Sequence, residues 1–285
     1  MPGPVDLSPH FQAHLDALHD ALAHEDRDLG VHGARRAIKA LRALLRLTWP
    51  ADPAEQLHAA CASLDQELKT LADALAPARD VRVAAACALS LIEETEEEPE
   101  RAALTRLAAE WLGDAARRES ASDHLGPEQA RRSEALIATH LQAIPTDPAR
   151  SDVAMAMGRS YSKARRRMRA GLRGADADLL HAARRELVRL QIQIQALGPE
   201  LGGKLRRLGR KAGRLRQTLG DHHDMAELDK RIGFSDLPGR IKSRLLQAVE
   251  QRADGLSQLA AAQADSALRR KPKALRKRLA RKLGG

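Results

Sequence analysis

The strongest constraint in this sequence is a helix pattern that occurs twice. In "VHGARRAIKALRALLRL", residues 31–47, Val31, Ala34, Ile38, Leu41 and Leu45 recur at steps of three and four. Those steps mark one face of a 3.6-residue turn. One position later the same steps carry His32, Arg35, Lys39, Arg42 and Arg46. A cationic stripe therefore runs about 100° round the helix from an apolar one. Residues 180–197, "LHAARRELVRLQIQIQAL", repeat the plan, with His181, Arg184 and Arg185 opposite His32, Arg35 and Arg36. The apolar stripe returns with them as Leu180, Ala183, Leu187, Leu190, Ile194 and Leu197. Each apolar stripe needs a core to cover it, and a pattern that returns in this way points to internal duplication.

A second pair of related segments follows, "LAPARDVRV" at 75–83 and "LGDHHDMAEL" at 219–228, which sets Asp80 opposite Asp224 and Arg79 opposite His223. Alanine and leucine supply most of the apolar residues and alternating β-branched runs are lacking, so the fold class is all-α. Periodicity predicts helices over 8–26, 31–48, 53–76, 79–97, 100–119, 126–143, 151–172, 179–197, 200–220, 223–232 and 238–283, the last broken at Gly255 and Pro272. Asp178 is the predicted N-cap of the second histidine helix, and Pro50, Pro77, Pro145, Pro199 and Pro238 fall between periodic segments. "IPTDPARSD", residues 144–152, reads as the linker between two helical bundles, 1–145 and 151–285.

Charge divides along the same line. Residues 1–150 carry 16 Lys and Arg against 25 Asp and Glu, a net −9, whereas residues 151–285 carry 32 against 13, a net +19. Such a field calls for a polyanionic partner: nucleic acid, an anionic membrane surface or a phosphate polymer. Only Phe11, Trp49, Trp111, Tyr161 and Phe234 are aromatic, which leaves few platforms for stacking unpaired bases. Cys61 and Cys87 form no CxxC pair and fall in helical patterns, as expected of two buried thiols in a reducing compartment. The first thirty residues have no apolar run, and nowhere do about 20 uncharged apolar residues follow one another, so a cytoplasmic chain is expected.

The order of a His-x-x-Arg helix, a later Leu-x-x-x-Arg-Asp or Leu-Gly-x-x-x-Asp segment, and the repetition of both resembles the CHAD family, the conserved-histidine α-helical domains. The resemblance runs from about residue 8 to 283. It implies two four-helix bundles about a pseudo-two-fold axis, with basic helix faces lining a central cavity that binds inorganic polyphosphate. It also implies placement at polyphosphate granules, although the triphosphate-processing domain fused to some members is not seen here. Two departures stand out: Val188 and Gln191 occupy the places of Lys39 and Arg42. Cations in "RSYSKARRRMRA" (159–170) and "KLRRLGRKAGRLR" (204–216) are positioned in sequence to compensate.

The residue chemistry suits such a ligand. A phosphate polymer offers a row of negative charges and no base edges, so rows of guanidinium forks and ammonium groups suffice to hold it. The candidate polyphosphate-binding residues are His32, Arg35, Arg36, Lys39, Arg42 and Arg46 from the first copy, and His181, Arg184, Arg185 and Arg189 from the second. Arg159, Lys163, Arg166, Arg167, Arg207, Lys211 and Arg214 join them from the flanking helices. Asp80 and Asp224 are supporting residues, expected to pair with motif-helix arginines or orient the histidines, against simple helix capping. His32 and His181 are open to two readings, a protonated donor to phosphate or a neutral histidine packed at a bundle interface.

Other signals point elsewhere. "GPELGGKL", 198–205, fits G-x-x-x-x-G-K, but Leu205 stands where a magnesium-holding hydroxyl belongs and a helix precedes it. His10 with His14, and His222 with His223 and Asp224, lack a full metal-ligand set, so no cofactor is expected. No nucleophile with a base partner and no paired carboxylates on a basic helix appear, which disfavours an enzyme. "EETEEEPE" at 93–100 reads as a solvated acidic helix end, and "ALRRKPKALRKRLARKL" as a basic amphipathic final helix open to phosphate contact or an anionic surface. The leading expectation is non-enzymatic polyphosphate binding. Its rivals are a nucleic-acid binder, a phosphate-transferring enzyme and a storage-granule scaffold.

Overall fold

The structure is a computed structural model that describes residues 3–49, 55–75, 77–120, 126–174 and 176–284. Those residues form eleven helices and no strand: α1 (Ser8–Leu22), α2 (Arg27–Thr48), α3 (Glu55–Ala74), α4 (Pro77–Ile92), α5 (Glu98–Ser120), α6 (Pro127–Gln142), α7 (Arg150–Gly174), α8 (Ala177–Ala196), α9 (Gly198–Gly233), α10 (Gly239–Ala267) and α11 (Pro272–Leu283). None of them is long and apolar enough to cross a membrane. Pro50 lies outside the described residues, as do the first residues of the helix expected over 53–76 and its last, residue 76.

Several boundaries move for identifiable reasons. The first histidine helix begins at Arg27 rather than 31 because Asp26 caps it, its Oδ1 accepting from the backbone N–H of Asp28 at 2.9 Å and Leu29 at 3.1 Å. The second is capped by Asp176, which accepts from Leu179 N at 2.9 Å, so Asp178 is a first-turn acid and not the N-cap. The helix expected over 79–97 stops at Ile92: carrying Glu93, Glu94, Glu96 and Glu97 in its last turn would set four carboxylates at the negative end of its dipole. The chain breaks instead and places Glu98 and Glu100 in the favourable first turn of α5. The expected break at 220–223 is absent from α9, where Leu215 and Leu219 are followed by Met225, Leu228 and Ile232, all buried on continuing helical spacing. Gly255 lies inside α10, and only the segment before Pro272 ends that helix.

Two apolar cores hold the helices. One gathers Phe11 and Leu18 of α1, the inner face of α2, Leu64 and Leu68 of α3, much of α7 and α8, the first half of α9, the end of α10, and Leu275, Leu279 and Leu283 of α11. The other joins α4 and α5 to the second half of α9 and the first half of α10. Both take residues from either side of segment 144–152. That segment is itself clamped: Val5 N donates to Pro148 O at 3.0 Å and Leu7 N to Thr146 O at 2.8 Å. The apolar stripes face these cores as periodicity predicts; Ala34, Ile38, Leu41 and Leu45, and all six residues from Leu180 to Leu197, are buried, with Val31 half-buried. Cys61 is buried and Cys87 half-buried, both as free thiols.

Opposite charges also join the two sequence halves. The acidic stretch is not simply solvated, because Glu94 pairs with Arg252, and buried Glu100 with Arg244 at 3.0 Å, tying α5 to α10.

Candidate functional site

The motif helices α2 and α8 pack directly on each other, and buried Gln193 marks their contact by donating from Nε2 to Ala43 O at 3.1 Å. With their apolar stripes facing the core, the cationic stripes emerge beside α3, α7 and α9. Arg42 makes a two-pronged bond to Asp65 of α3, Nε to Oδ1 at 2.9 Å and an outer nitrogen to Oδ2 at 3.2 Å. Arg46 donates to the same Oδ2 at 2.8 Å. On α8, Arg189 donates to Glu186 Oε2 at 2.5 Å, and Arg167 of α7 reaches Glu186 Oε1 at 2.8 Å.

These pairs form one electrostatic network, since Arg46 also interacts with Arg189 and Glu186. Four guanidiniums from three helices share two carboxylates, which leaves a net positive surface. Burial pushes the Asp65 carboxyl up, but its bond from Arg42 and the charges of Arg46, Arg42 and Arg189 outweigh that, and it sits below the ordinary range. Asp65 is therefore a fixed anion at neutral pH. The four arginines remain partly open, with 25–32% of each side chain exposed.

Trp49, the residue at the C-terminal end of α2, organises the edge of this cluster. The Arg46 guanidinium stacks 4.4 Å from its ring centroid, Arg159 of α7 donates to its carbonyl at 3.4 Å, and its indole N–H donates to His58 Nδ1 at 3.1 Å. Lys39, Arg36, Lys163, Arg166 and Arg185 are exposed. Arg35 turns inward and donates to Ala72 O at 3.0 Å, while Arg184 lies against Gly220 of α9. A Cβ on Gly220 would stand 3.2 Å from Arg184 Nε, so the absent side chain makes room for this arginine.

The two histidines differ. His32 is exposed near the start of α2. His181 is half-buried, its ring centroid 4.2 Å from that of His223, and its Nδ1 is buried without a hydrogen-bond partner among the described residues. Burial, His223, Arg185 and Arg184 push its pKa down to about 4, so at neutral pH it carries no charge. Asp224 is half-buried beside His223 on α9, whereas Asp80 is exposed in the first turn of α4, where it complements the helix dipole.

Arg207, Lys211 and Arg214 lie elsewhere. They line grooves between α9, the end of α10 and α11, and Lys211 Nζ donates to Ser266 Oγ at 2.7 Å. Sequence reasoning missed Trp49, Asp65, Glu186 and Gln193. A signal existed for Trp49, three residues after Arg46, and for Glu186, three before Arg189; none existed for Asp65 on another helix. The Gly-rich stretch 198–205 begins α9, bent at Gly202 with φ 71°, and follows a helix. No group of three or more potential metal ligands is found among the described residues.

No curated protein and no solved structure matches this chain. The family model of the CHAD domain does match it, over residues 9–233. That span includes both histidine helices, the Asp65 and Glu186 clusters and the whole of α9, and the chain belongs to the CHAD domain family.

Proposed function

We propose that this protein binds inorganic polyphosphate without transforming it, through the basic face formed by α2, α7 and α8. The observation that carries this reading is the network of Arg42, Arg46, Arg189 and Arg167 around Asp65 and Glu186, flanked by exposed Lys39, Lys163 and Arg185. Membership of the CHAD family adds the class of ligand. The pre-set acids hold the guanidiniums apart and oriented, so a flexible polyanion meets donors already in place. Its binding would neutralise the excess positive charge of four guanidiniums that share two carboxylates, with counterion release making affinity steeply salt-dependent.

The same reading takes residues 1–145 and 151–285 as two copies of one bundle about a pseudo-two-fold axis, with the basic cavity where they meet. Repeated packing supports it: α1 on α2 parallels α7 on α8, α2 on α3 parallels α8 on α9, and α4 on α5 parallels α9 on α10. Recruitment to cytoplasmic polyphosphate granules follows if the polymer is held there.

The test is calorimetric titration with long-chain polyphosphate at physiological salt, with DNA and RNA at equal charge as competitors. Tight binding that nucleic acids do not displace is expected, together with a loss of at least tenfold in the variant Lys39→Glu/Lys163→Glu/Arg185→Glu. These side chains are exposed, so helical circular dichroism should be unchanged. Displacement by DNA, or full binding by the variant, would overturn the assignment.

A further inference from the structure

We infer a second phosphate-chain site, separate from the motif face, in the trough between α9, the end of α10 and α11; this rests on the polyphosphate reading above. A cavity of about 250 Å³ opens there, and Lys204, Arg207, Lys211, Arg269, Arg270 and Arg278 line it with no carboxylate among its lining residues. Its neighbour of about 230 Å³ shares Lys211 and Ser266 and adds Arg214. The two form a trough following α9 from Lys204 to Arg214, a rise of about 15 Å at the helical 1.5 Å per residue.

Three observations separate this trough from an ordinary solvated face. First, its cations have no counter-ion: on the motif face each arginine of the network meets Asp65 or Glu186, but among the described residues none of the six trough cations pairs with a carboxylate. Secondly, one wall of the trough is tied to the core. The basic turn that interrupts α10 and α11 is pinned from α7, where Tyr161 Oη donates to Arg270 O at 3.0 Å and Arg165 Nε to Leu268 O at 3.0 Å. Tyr161 is fully buried, so a core residue fixes the carbonyl of a binding arginine. Thirdly, no aromatic side chain lines either cavity, which suits a bare phosphate chain better than stacked bases.

Arg269, Arg270 and Arg278 lie beyond residue 233, where the family match ends. The trough is thus a feature that this chain's own last two helices complete. A polymer long enough to occupy both faces would be held at two points, so its affinity should exceed that of either face alone.

The experiment titrates the full chain with tripolyphosphate and with long-chain polyphosphate. It compares wild type with the trough variant Lys204→Ala/Arg207→Ala/Arg269→Ala, whose side chains are exposed, and with the motif-face variant Lys39→Glu/Lys163→Glu/Arg185→Glu. Circular dichroism confirms the fold of each. Wild type should take up tripolyphosphate at two sites and each variant at one. In the trough variant the affinity for long chains should fall at least tenfold, and the slope of log K against log salt should shrink by about two, at roughly 0.7 per lost phosphate contact. Wild-type binding at one site, lost only in the motif-face variant, would overturn the trough and leave the proposed function standing. Failure of wild type to bind either probe would overturn both. Binding of phosphatidylglycerol vesicles that the trough variant loses, without tripolyphosphate uptake, would assign the trough to a lipid surface and overturn the phosphate-chain site.

Discussion

Glu186 is buried, yet each of its carboxylate oxygens meets a guanidinium, Arg167 at 2.8 Å and Arg189 at 2.5 Å. A buried carboxylate is tolerated because both oxygens are engaged, and the arginines in turn are held at one spacing. Replacing it by glutamine keeps the shape and removes the charge. Because 31% and 25% of the two arginine side chains are exposed, water can take over their solvation, and the cost should be about 1–3 kcal/mol rather than that of a stranded charge. Glu186→Gln is therefore expected to lower the thermal midpoint by several degrees and to weaken polyphosphate binding, since Arg167 and Arg189 lose the acid that holds them at one spacing. Scanning calorimetry and titration check both; unchanged or tighter binding would show that Glu186 competes for the arginines more than it positions them. The cations of this face were legible from helical spacing alone. Their acids were not, because spacing fixes which face a residue occupies and says nothing of which neighbouring helix brings Asp65 to it.

The contact between α8 and α9 is close enough to need glycine on one side. A Cβ on Gly209 would stand 2.8 Å from Ile194 Cγ2, and Ile194 is β-branched, so it has little freedom to move aside. Gly255, by contrast, lies within α10 with nothing within 4 Å of such a Cβ. Gly209→Ala should destabilise by about 1–3 kcal/mol through overpacking, and Gly255→Ala should stabilise by about 0.5–1 kcal/mol through helix propensity. Urea denaturation of the two variants measures both, and equal effects would deny the close approach. At this scale helix existence was legible almost throughout, because apolar residues at steps of three and four have one solution. The boundaries followed rules that periodicity omits: Asp26 and Asp176 cap ahead of the apolar stripe, and the acidic run at 93–97 is disfavoured at the C-terminal end of a helix. The sequence expectation of separate helices over 200–220 and 223–232 fails because continuing burial of Met225, Leu228 and Ile232 carries α9 through the gap.

Across the molecule, the histidine-helix pattern occurs twice in series, at 31–47 and 180–197, yet the packing threads the two halves of the chain together. α9 enters the first core with Leu215 and Leu219 and the second with Met225, Leu228 and Ile232; α10 returns from the second core at Leu245 and Val249 to the first at Ala260 and Ala264. Periodicity shows that each stripe is buried but not against what, so the spacing alone does not tell which helices share a core. Two long helices that cross both cores should couple them, so the full chain is expected to melt in a single calorimetric transition. The family match stops at residue 233, before either α10 or α11. A chain cut after Gly233 would lose Leu245 and Val249 from one core and Leu268, Leu275, Leu279 and Leu283 from the other. At about 1.5–3 kcal/mol for each buried aliphatic side chain, that loss is comparable with the whole stability of an ordinary domain. The shortened chain should retain helical circular dichroism but lose its sharp transition and bind a hydrophobic dye through the uncovered faces of α7 and α9. A shortened chain that melts as sharply and at the same temperature as the full one would show that the last two helices only cover a structure already complete.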